Sequence, residues 1–254
     1  MFRSDFPIFT THPGLVYLDS ASTAHKPQRV IDALSHFFAT DYANIHRGSY
    51  DLSMESSRLY DRAKLAVAKK LNTTPAEIVF TYNATYAFNL IAQGLVKSGY
   101  LTKGDTVLLS KVEHHANIVP WQIIAAEYGI LVDWVELHAD GTLDYDSLEQ
   151  KLPHAKVLSI TGSSNVTGEV LDLERVKEMI EGLKSKPIFI LDGSQRFPHM
   201  ETDVARYGID FFVATGHKVM SDTGIGFFYG RKNILQKMDP AFCGGGAINS
   251  VTTE

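Results

Sequence analysis

Lys218 stands among polar residues whose side chains could do chemistry together. An amine can form a Schiff base with an aldehyde, a carboxylate can keep a pyridine nitrogen protonated, and a hydroxyl at a helix N-terminus can bind phosphate. Lys218 supplies the amine, Asp192 the carboxylate, and Thr85 a hydroxyl near the start of a predicted helix. Pyridoxal phosphate needs all three groups, so the set predicts a site for that cofactor. Each residue also has an ordinary alternative, because such aspartates and threonines often cap helices and most lysines are solvated.

The elements that must position these residues form an α/β pattern. From about residue 76 onward, apolar runs of strand length alternate with helical patterns, which indicates βαβ units and a mostly parallel seven-stranded sheet flanked by helices. The predicted strands are 78–81, 106–110, 131–136, 157–161, 187–191, 211–214 and 225–229. Ligands of such sheets bind beyond the carboxyl ends of the strands. The polar residues that follow five of these ends are Thr85, His114, Asn165, Asp192, Gln195, Thr215, His217 and Lys218.

The remaining helices define the expected domain layout. Between and after the strands, helices are predicted over 84–96, 117–128, 173–183 and 232–238. Residues 28–38 and 54–71 read as two amphipathic helices joined by a polar stretch. We therefore expect an N-terminal helical segment over residues 1–75 that packs on a main domain over residues 76–254.

Several other kinds of site lack their sequence signature. No GxxxxGK[ST] loop, GxGxxG turn or GxSxG elbow occurs, which argues against a Walker site, a Rossmann site and an α/β-hydrolase. Ten histidines are present without an HExxH-type spacing, and Cys243 is the single cysteine, so we expect no metal site and no internal disulfide.

Composition limits the partners and the compartment. The 254 residues are 44% hydrophobic and carry 24 Lys and Arg against 29 Asp and Glu, a net charge of −5. This balance gives no basic field for nucleic acid, and no apolar run reaches the roughly 20 residues of a membrane helix. The opening segment lacks a secretion profile. We expect a cytoplasmic protein whose partners are small molecules or proteins, without nucleic acid or membrane.

Five regions of the chain resemble motifs of class V aminotransferase-fold enzymes, in particular cysteine desulfurases of the Suf type. They are 17–23 (YLDSAST), 44–48 (NIHRG), 113–121 (EHHANIVPW), 192–199 (DGSQRFPH), and 214–218 with 223–226 (ATGHK and TGIG). The resemblance implies the large domain of a fold-type-I enzyme that depends on pyridoxal 5'-phosphate. It also implies a homodimer that takes L-cysteine or a related amino acid, forms L-alanine, and passes persulfide sulfur to an acceptor protein for iron–sulfur cluster assembly.

The resemblance assigns catalytic roles to two residues and ring contacts to two others. Lys218 would hold the cofactor as a Schiff base and then move protons as base and acid. His114 would stack on the cofactor ring and protonate the substrate during carbon–sulfur cleavage. Asp192 would pair with the pyridine nitrogen, and Gln195 would donate to the phenolic oxygen.

The remaining assignments concern the phosphate and the substrate. Thr85, Thr215 and His217 would bind the phosphate, helped by the backbone amides and dipole of the helix after Ala84. Asn165 would lie beside the ring near the substrate carboxylate. His46 and Arg47 could form a substrate wall or a solvated loop, and both interpretations stay open.

The ending of the sequence departs from the family pattern. Suf-type desulfurases continue into a small C-terminal domain with the persulfide cysteine and the arginine that binds the substrate carboxylate. Cys243 lies beside a glycine run instead, and we interpret it as an incidental thiol. We therefore expect a truncated and impaired desulfurase, arising from a truncated gene, a split gene or a misread codon. The alternatives are another class V enzyme, such as a selenocysteine lyase, an aminotransferase or an epimerase, a non-catalytic pseudoenzyme or assembly partner, and a structural module unable to bind cofactor.

Overall fold

A seven-stranded sheet forms the centre of the computed structural model, which describes residues 2–46 and 48–245. The strands are β1 (Ile78–Thr81), β2 (Thr106–Ser110), β3 (Leu131–Val135), β4 (Val157–Thr161), β5 (Ile188–Asp192), β6 (Phe211–Thr215) and β7 (Gly226–Gly230). Their order is β1-β7-β6-β5-β4-β2-β3. Only β7 runs antiparallel to its neighbours β1 and β6 within this sheet, and the other pairings are parallel. The predicted fold class is confirmed.

Helices cover both faces of the sheet. In the described residues they are α1 (Ile8–Thr11), α2 (Gln28–His36), α3 (Asp51–Lys70), α4 (Ala84–Lys97), α5 (Val119–Tyr128), α6 (Tyr145–Lys151), α7 (Leu173–Glu181) and α8 (Lys232–Leu235). Most bounds lie close to those predicted. The helix expected from Asn117 instead starts as a 3-10 turn over His115–Asn117, and α5 begins at Val119 with Pro120 in its first turn, where proline needs no hydrogen-bond donor.

The core lies on both sides of the parallel strands. Leu108, Leu158 and Phe212 belong to one buried cluster, whereas their chain neighbours Val107 and Phe211 belong to the cluster on the opposite face. This alternation follows the two-residue period of a strand and explains why the strands read as continuous apolar runs. Helix α4 packs on the second cluster, and α6 and α7 pack on the first.

The end of α3 joins the N-terminal helices to this core. Ala68 and Leu71 are fully buried in the first cluster, and the backbone oxygen of Leu71 accepts a hydrogen bond from Val204 N at 3.1 Å. The division at residues 75 and 76 stays a prediction. None of the helices in the described ranges is both long enough and apolar enough to cross a membrane.

Candidate active site

One cavity of about 380 Å³ brings together eight residues that the sequence predicted for the site. The predicted residues that line it are Thr85, His114, Asn165, Asp192, Gln195, Thr215, His217 and Lys218. Strands β2, β4, β5 and β6 run parallel, so their carboxyl ends meet at one edge, and the residues after them share one space. The placement is observed, and the role of each residue stays a prediction.

The N-terminus of α4 forms one wall of the cavity. Asn83 caps this 14-residue helix, because its side-chain oxygen accepts a hydrogen bond from Tyr86 N at 2.8 Å. Ala84 and Thr85 begin the helix and line the cavity. Strand β7 runs so close that a Cβ at Gly226 would lie 2.8 Å from the Asn83 Cα, which requires glycine there. Because the first two residues of α4 line the cavity, the positive end of the α4 dipole faces it.

The turn after β5 holds Asp192 at the base of the cavity. Asp192 is 4% exposed, and its Oδ1 accepts a hydrogen bond from Ser194 N at 2.9 Å. Gly193 N donates to Val213 O at 2.8 Å, and a Cβ at Gly193 would lie 1.9 Å from the Phe212 ring. The turn therefore lies so close to β6 that only glycine fits at position 193. The hydrogen bond from Ser194 N holds the carboxylate of Asp192 in place.

Lys218 lies in the 3-10 turn Gly216–Val219 that follows β6. Burial lowers the pKa of the Lys218 amine, and the negative charge of Asp192 partly offsets this effect. Burial likewise lowers the pKa of His217, and the charges of Lys218 and Lys26 add to that shift. The cavity therefore favours an uncharged, nucleophilic amine at Lys218 more than solvent does.

Thr215 and Ser194 place hydroxyl groups at this site without hydrogen-bond partners. Thr215 is 4% exposed and Ser194 is 7% exposed, and both residues line the cavity. Neither hydroxyl oxygen has a partner among residues 2–46 and 48–245. A buried hydroxyl without a partner costs stability, so a ligand that hydrogen-bonds to these atoms would remove the cost.

His114 presents a neutral imidazole to the cavity. Its Nδ1 accepts a hydrogen bond from Ala116 N at 3.1 Å, so the neutral ring carries its proton on Nε2. Partial burial lowers the pKa of His114, as do the charges of Lys218 and His115, whereas Asp192 raises it. The ring therefore offers an N–H donor rather than a second cation.

Glu113 anchors the turn that carries His114 through a largely buried network of hydrogen bonds. Its Oε1 accepts from Ser110 Oγ at 2.5 Å and from Thr161 N at 2.8 Å, and its Oε2 accepts from Asn117 Nδ2 at 2.7 Å. Burial, with a smaller contribution from the charge of Asp192, raises the pKa of Glu113 to about 8 against the effect of these donors. The turn is thereby tied to the ends of both β2 and β4.

The N-terminal segment closes one side of the cavity. Asp19, Ala21 and Ser22 line it, and Ala24 N donates to His217 O at 3.0 Å. Gln195 Nε2 donates to Ala21 O at 2.7 Å, so the amide that was expected to contact the cofactor also holds this segment.

The predicted residues and the residues that line the cavity differ at a few positions. His46 packs edge-on against Tyr60 at 5.1 Å and is not among the residues that line this cavity. Arg47, the last glycine of the run (Gly246) and residues 247–254 lie outside the described residues. Sequence reasoning did not single out Asn83 or Ser194 as lining residues, although each lies two positions after the last residue of a strand.

Comparison with known proteins agrees with this geometry. Residues 16–254 match the family model for aminotransferase class-V. A probable cysteine desulfurase of Synechocystis sp. is 38% identical over 98% of this chain and 60% of its own length, and a cysteine desulfurase of Yersinia pestis is 37% identical over 98% and 62%. The chain thus spans about 60% of the length of these curated relatives.

Solved structures show the same fold. The apo structure of a cysteine desulfurase from Thermococcus onnurineus superposes with a TM-score of 0.91 at 31% identity, covering 99% of this chain and 61% of that one. A cysteine desulfurase from Escherichia coli gives a TM-score of 0.88 at 34% identity, covering 99% and 62%. The resemblance seen in the sequence motifs is confirmed, and the chain belongs to the aminotransferase class-V family.

Proposed function

We propose that the chain forms the cofactor-binding part of a pyridoxal-phosphate-dependent cysteine desulfurase. One observation carries the proposal: Lys218, Asp192 and the unpartnered hydroxyl of Thr215 line one cavity beside the N-terminus of α4. An amine with a lowered pKa, a buried carboxylate and donors for a phosphate are the groups that this cofactor requires. The cysteine desulfurases among its relatives support the choice of substrate.

The residues present fit the cofactor at each of its polar parts. Lys218 would hold it through its aldehyde carbon, Asp192 would keep a proton on the pyridine nitrogen, and Gln195 would contact the phenolic oxygen. Thr85, Thr215 and His217 would bind the phosphate. When bound, pyridoxal phosphate supplies an electron sink for the electron pair left by a departing α-proton.

The protein's own groups then have defined tasks. Lys218 Nζ takes the α-proton of the substrate, because its lowered pKa leaves more of the amine uncharged, and so able to act as a base, than for a solvated lysine. The Nε2–H of the neutral His114 ring would donate a hydrogen bond to the reacting groups, and Asn165 would orient the substrate carboxylate. For L-cysteine, the carbon–sulfur bond breaks, a thiolate of an acceptor takes the sulfur as a persulfide, and protonation of the remaining carbon gives L-alanine.

The wider setting is also a proposal. We place the protein in the cytoplasm as a homodimer that delivers sulfur to an acceptor protein for iron–sulfur cluster assembly. The sequences and structures of cysteine desulfurases among the relatives support the reaction class, and the resemblance of the motifs supports the assembly role.

The experiment measures α-proton exchange, the step that the described residues perform. The chain with pyridoxal phosphate in deuterated water should replace the Cα hydrogen of L-cysteine with deuterium, as followed by NMR. Lys218→Ala should abolish exchange, and Lys103→Ala, a lysine outside the cavity, should not change it. Absence of exchange in the wild-type chain would refute the proposal, and a keto acid product instead of alanine would assign another class V chemistry.

A further inference from the structure

Ser194 carries a hydroxyl that the proposed roles leave unused. The residue lies between Asp192 and Gln195, so three polar side chains of one short turn line the same cavity. Its backbone N–H donates to Asp192 Oδ1 at 2.9 Å, whereas its hydroxyl oxygen has no partner in the part of the chain that the structure describes.

The turn around Ser194 cannot rearrange easily to give this hydroxyl a protein partner. Gly193 is packed against the Phe212 ring, and its N–H is bonded to Val213 O at 2.8 Å. Gly193 O accepts from Phe197 N at 2.7 Å, which fixes the other side of the turn. A buried hydroxyl held on so rigid a turn loses a hydrogen bond unless a bound group supplies one.

We propose that Ser194 Oγ hydrogen-bonds to the ring part of the bound cofactor, as a further binding residue beside Asp192 and Gln195. The inference rests on the proposed function, because it requires pyridoxal phosphate in this cavity. The position separates Ser194 from Thr215, whose hydroxyl ends β6 and belongs to the group of residues proposed for the phosphate. The two unpartnered hydroxyls therefore serve opposite ends of the same ligand.

Two probes separate these ends. Pyridoxal phosphate carries both ring and phosphate, whereas pyridoxal lacks the phosphate. Binding of each is measured by quenching of tryptophan fluorescence with the wild-type chain, Ser194→Ala and Thr215→Val. Loss of one hydrogen bond predicts a three- to tenfold larger dissociation constant. Ser194→Ala should weaken the binding of both probes equally, and Thr215→Val should weaken the binding of pyridoxal phosphate alone.

A second measurement separates binding from folding. Ser194→Ala removes a buried hydroxyl that has no partner without ligand, so the midpoint of urea unfolding of the ligand-free variant should equal or exceed that of the wild type. Ser147→Ala, which removes a buried hydroxyl outside the cavity, is the matched control and should bind both probes as the wild type does.

The outcomes decide between the two proposals. Unchanged affinity of Ser194→Ala for both probes, with wild-type binding intact, would overturn the role of Ser194 and leave the proposed function standing. Weaker binding of pyridoxal phosphate alone would place Ser194 at the phosphate end and would also overturn it. A wild-type chain that binds neither probe would overturn both proposals.

Discussion

The buried carboxyl of Glu113 should make the stability of the protein depend on pH, and Glu113→Gln should remove that dependence. Burial raises the pKa of Glu113 from 4.5 to about 8 in the folded protein. The folded state therefore keeps a proton that the unfolded chain releases as pH rises above 4.5. Stability falls through this window, because the unfolded state binds fewer protons than the folded one.

The size of the effect follows from the shift. Each pKa unit corresponds to about 1.4 kcal/mol, so Glu113 should lower the free energy of unfolding by roughly 3 to 4 kcal/mol between pH 5 and pH 8. The neutral carboxyl keeps the network intact, since Ser110 Oγ can reverse and accept the proton of Oε1. Glutamine cannot keep every hydrogen bond, because its NH2 group would face the Thr161 N–H donor in one orientation and the Asn117 Nδ2 donor in the other, at a fixed cost of about 1 to 3 kcal/mol.

Urea unfolding followed by circular dichroism at pH 5, 6.5 and 8 provides the assay. Glu113→Gln should be less stable than the wild type at pH 5, and the difference should shift in favour of the variant by roughly 3 to 4 kcal/mol by pH 8. Glu149→Gln, an exposed position on α6, is the control and should show a flat difference. A flat difference for Glu113→Gln as well would refute the reasoning, because the three donors would then keep the carboxylate ionised.

Three further predictions concern the walls of the cavity. Lys218 should react with an amine-specific reagent with a pH midpoint below that of a surface lysine, and Asp192→Asn should lower the midpoint further; an unchanged midpoint in the variant would contradict the charge effect. Gly193→Ala should lower the free energy of unfolding by about 3 kcal/mol, because its Cβ meets the Phe212 ring, and Phe212→Leu should recover part of it. Asn83→Ala should cost about 1 kcal/mol in urea unfolding through loss of the α4 cap, and no change would show that the cap is dispensable.

The sheet was predictable because its strands leave a simple pattern. Parallel strands buried on both faces read as short apolar runs, and the observed bounds of β1, β2 and β4 equal the predicted ones. Helix α6 was not predicted, because its seven residues are too few to show a helical period and its start depends on the Asp144 cap. The π-helical turn over Phe37–Asp41 likewise has no sequence signal that distinguishes it from the end of α2.

The site was predictable where a residue directly follows a strand, and less so where its environment comes from distant elements. Lys218 and Asp192 followed from strand-end position and chemical type. The environment of Glu113 did not, because its partner Thr161 lies on β4, which the sheet order places next to β2. Ser194 also escaped notice, since a serine after an aspartate and a glycine is indistinguishable from an ordinary turn residue.

The central claim is that Lys218 holds pyridoxal phosphate in this cavity. The most direct test incubates the purified chain with pyridoxal phosphate, reduces it with borohydride and identifies the modified peptide by mass spectrometry. We predict one reduced adduct per chain, on Lys218, and none in Lys218→Ala. A folded wild-type chain without an adduct, or with the adduct spread over surface lysines, would contradict the account.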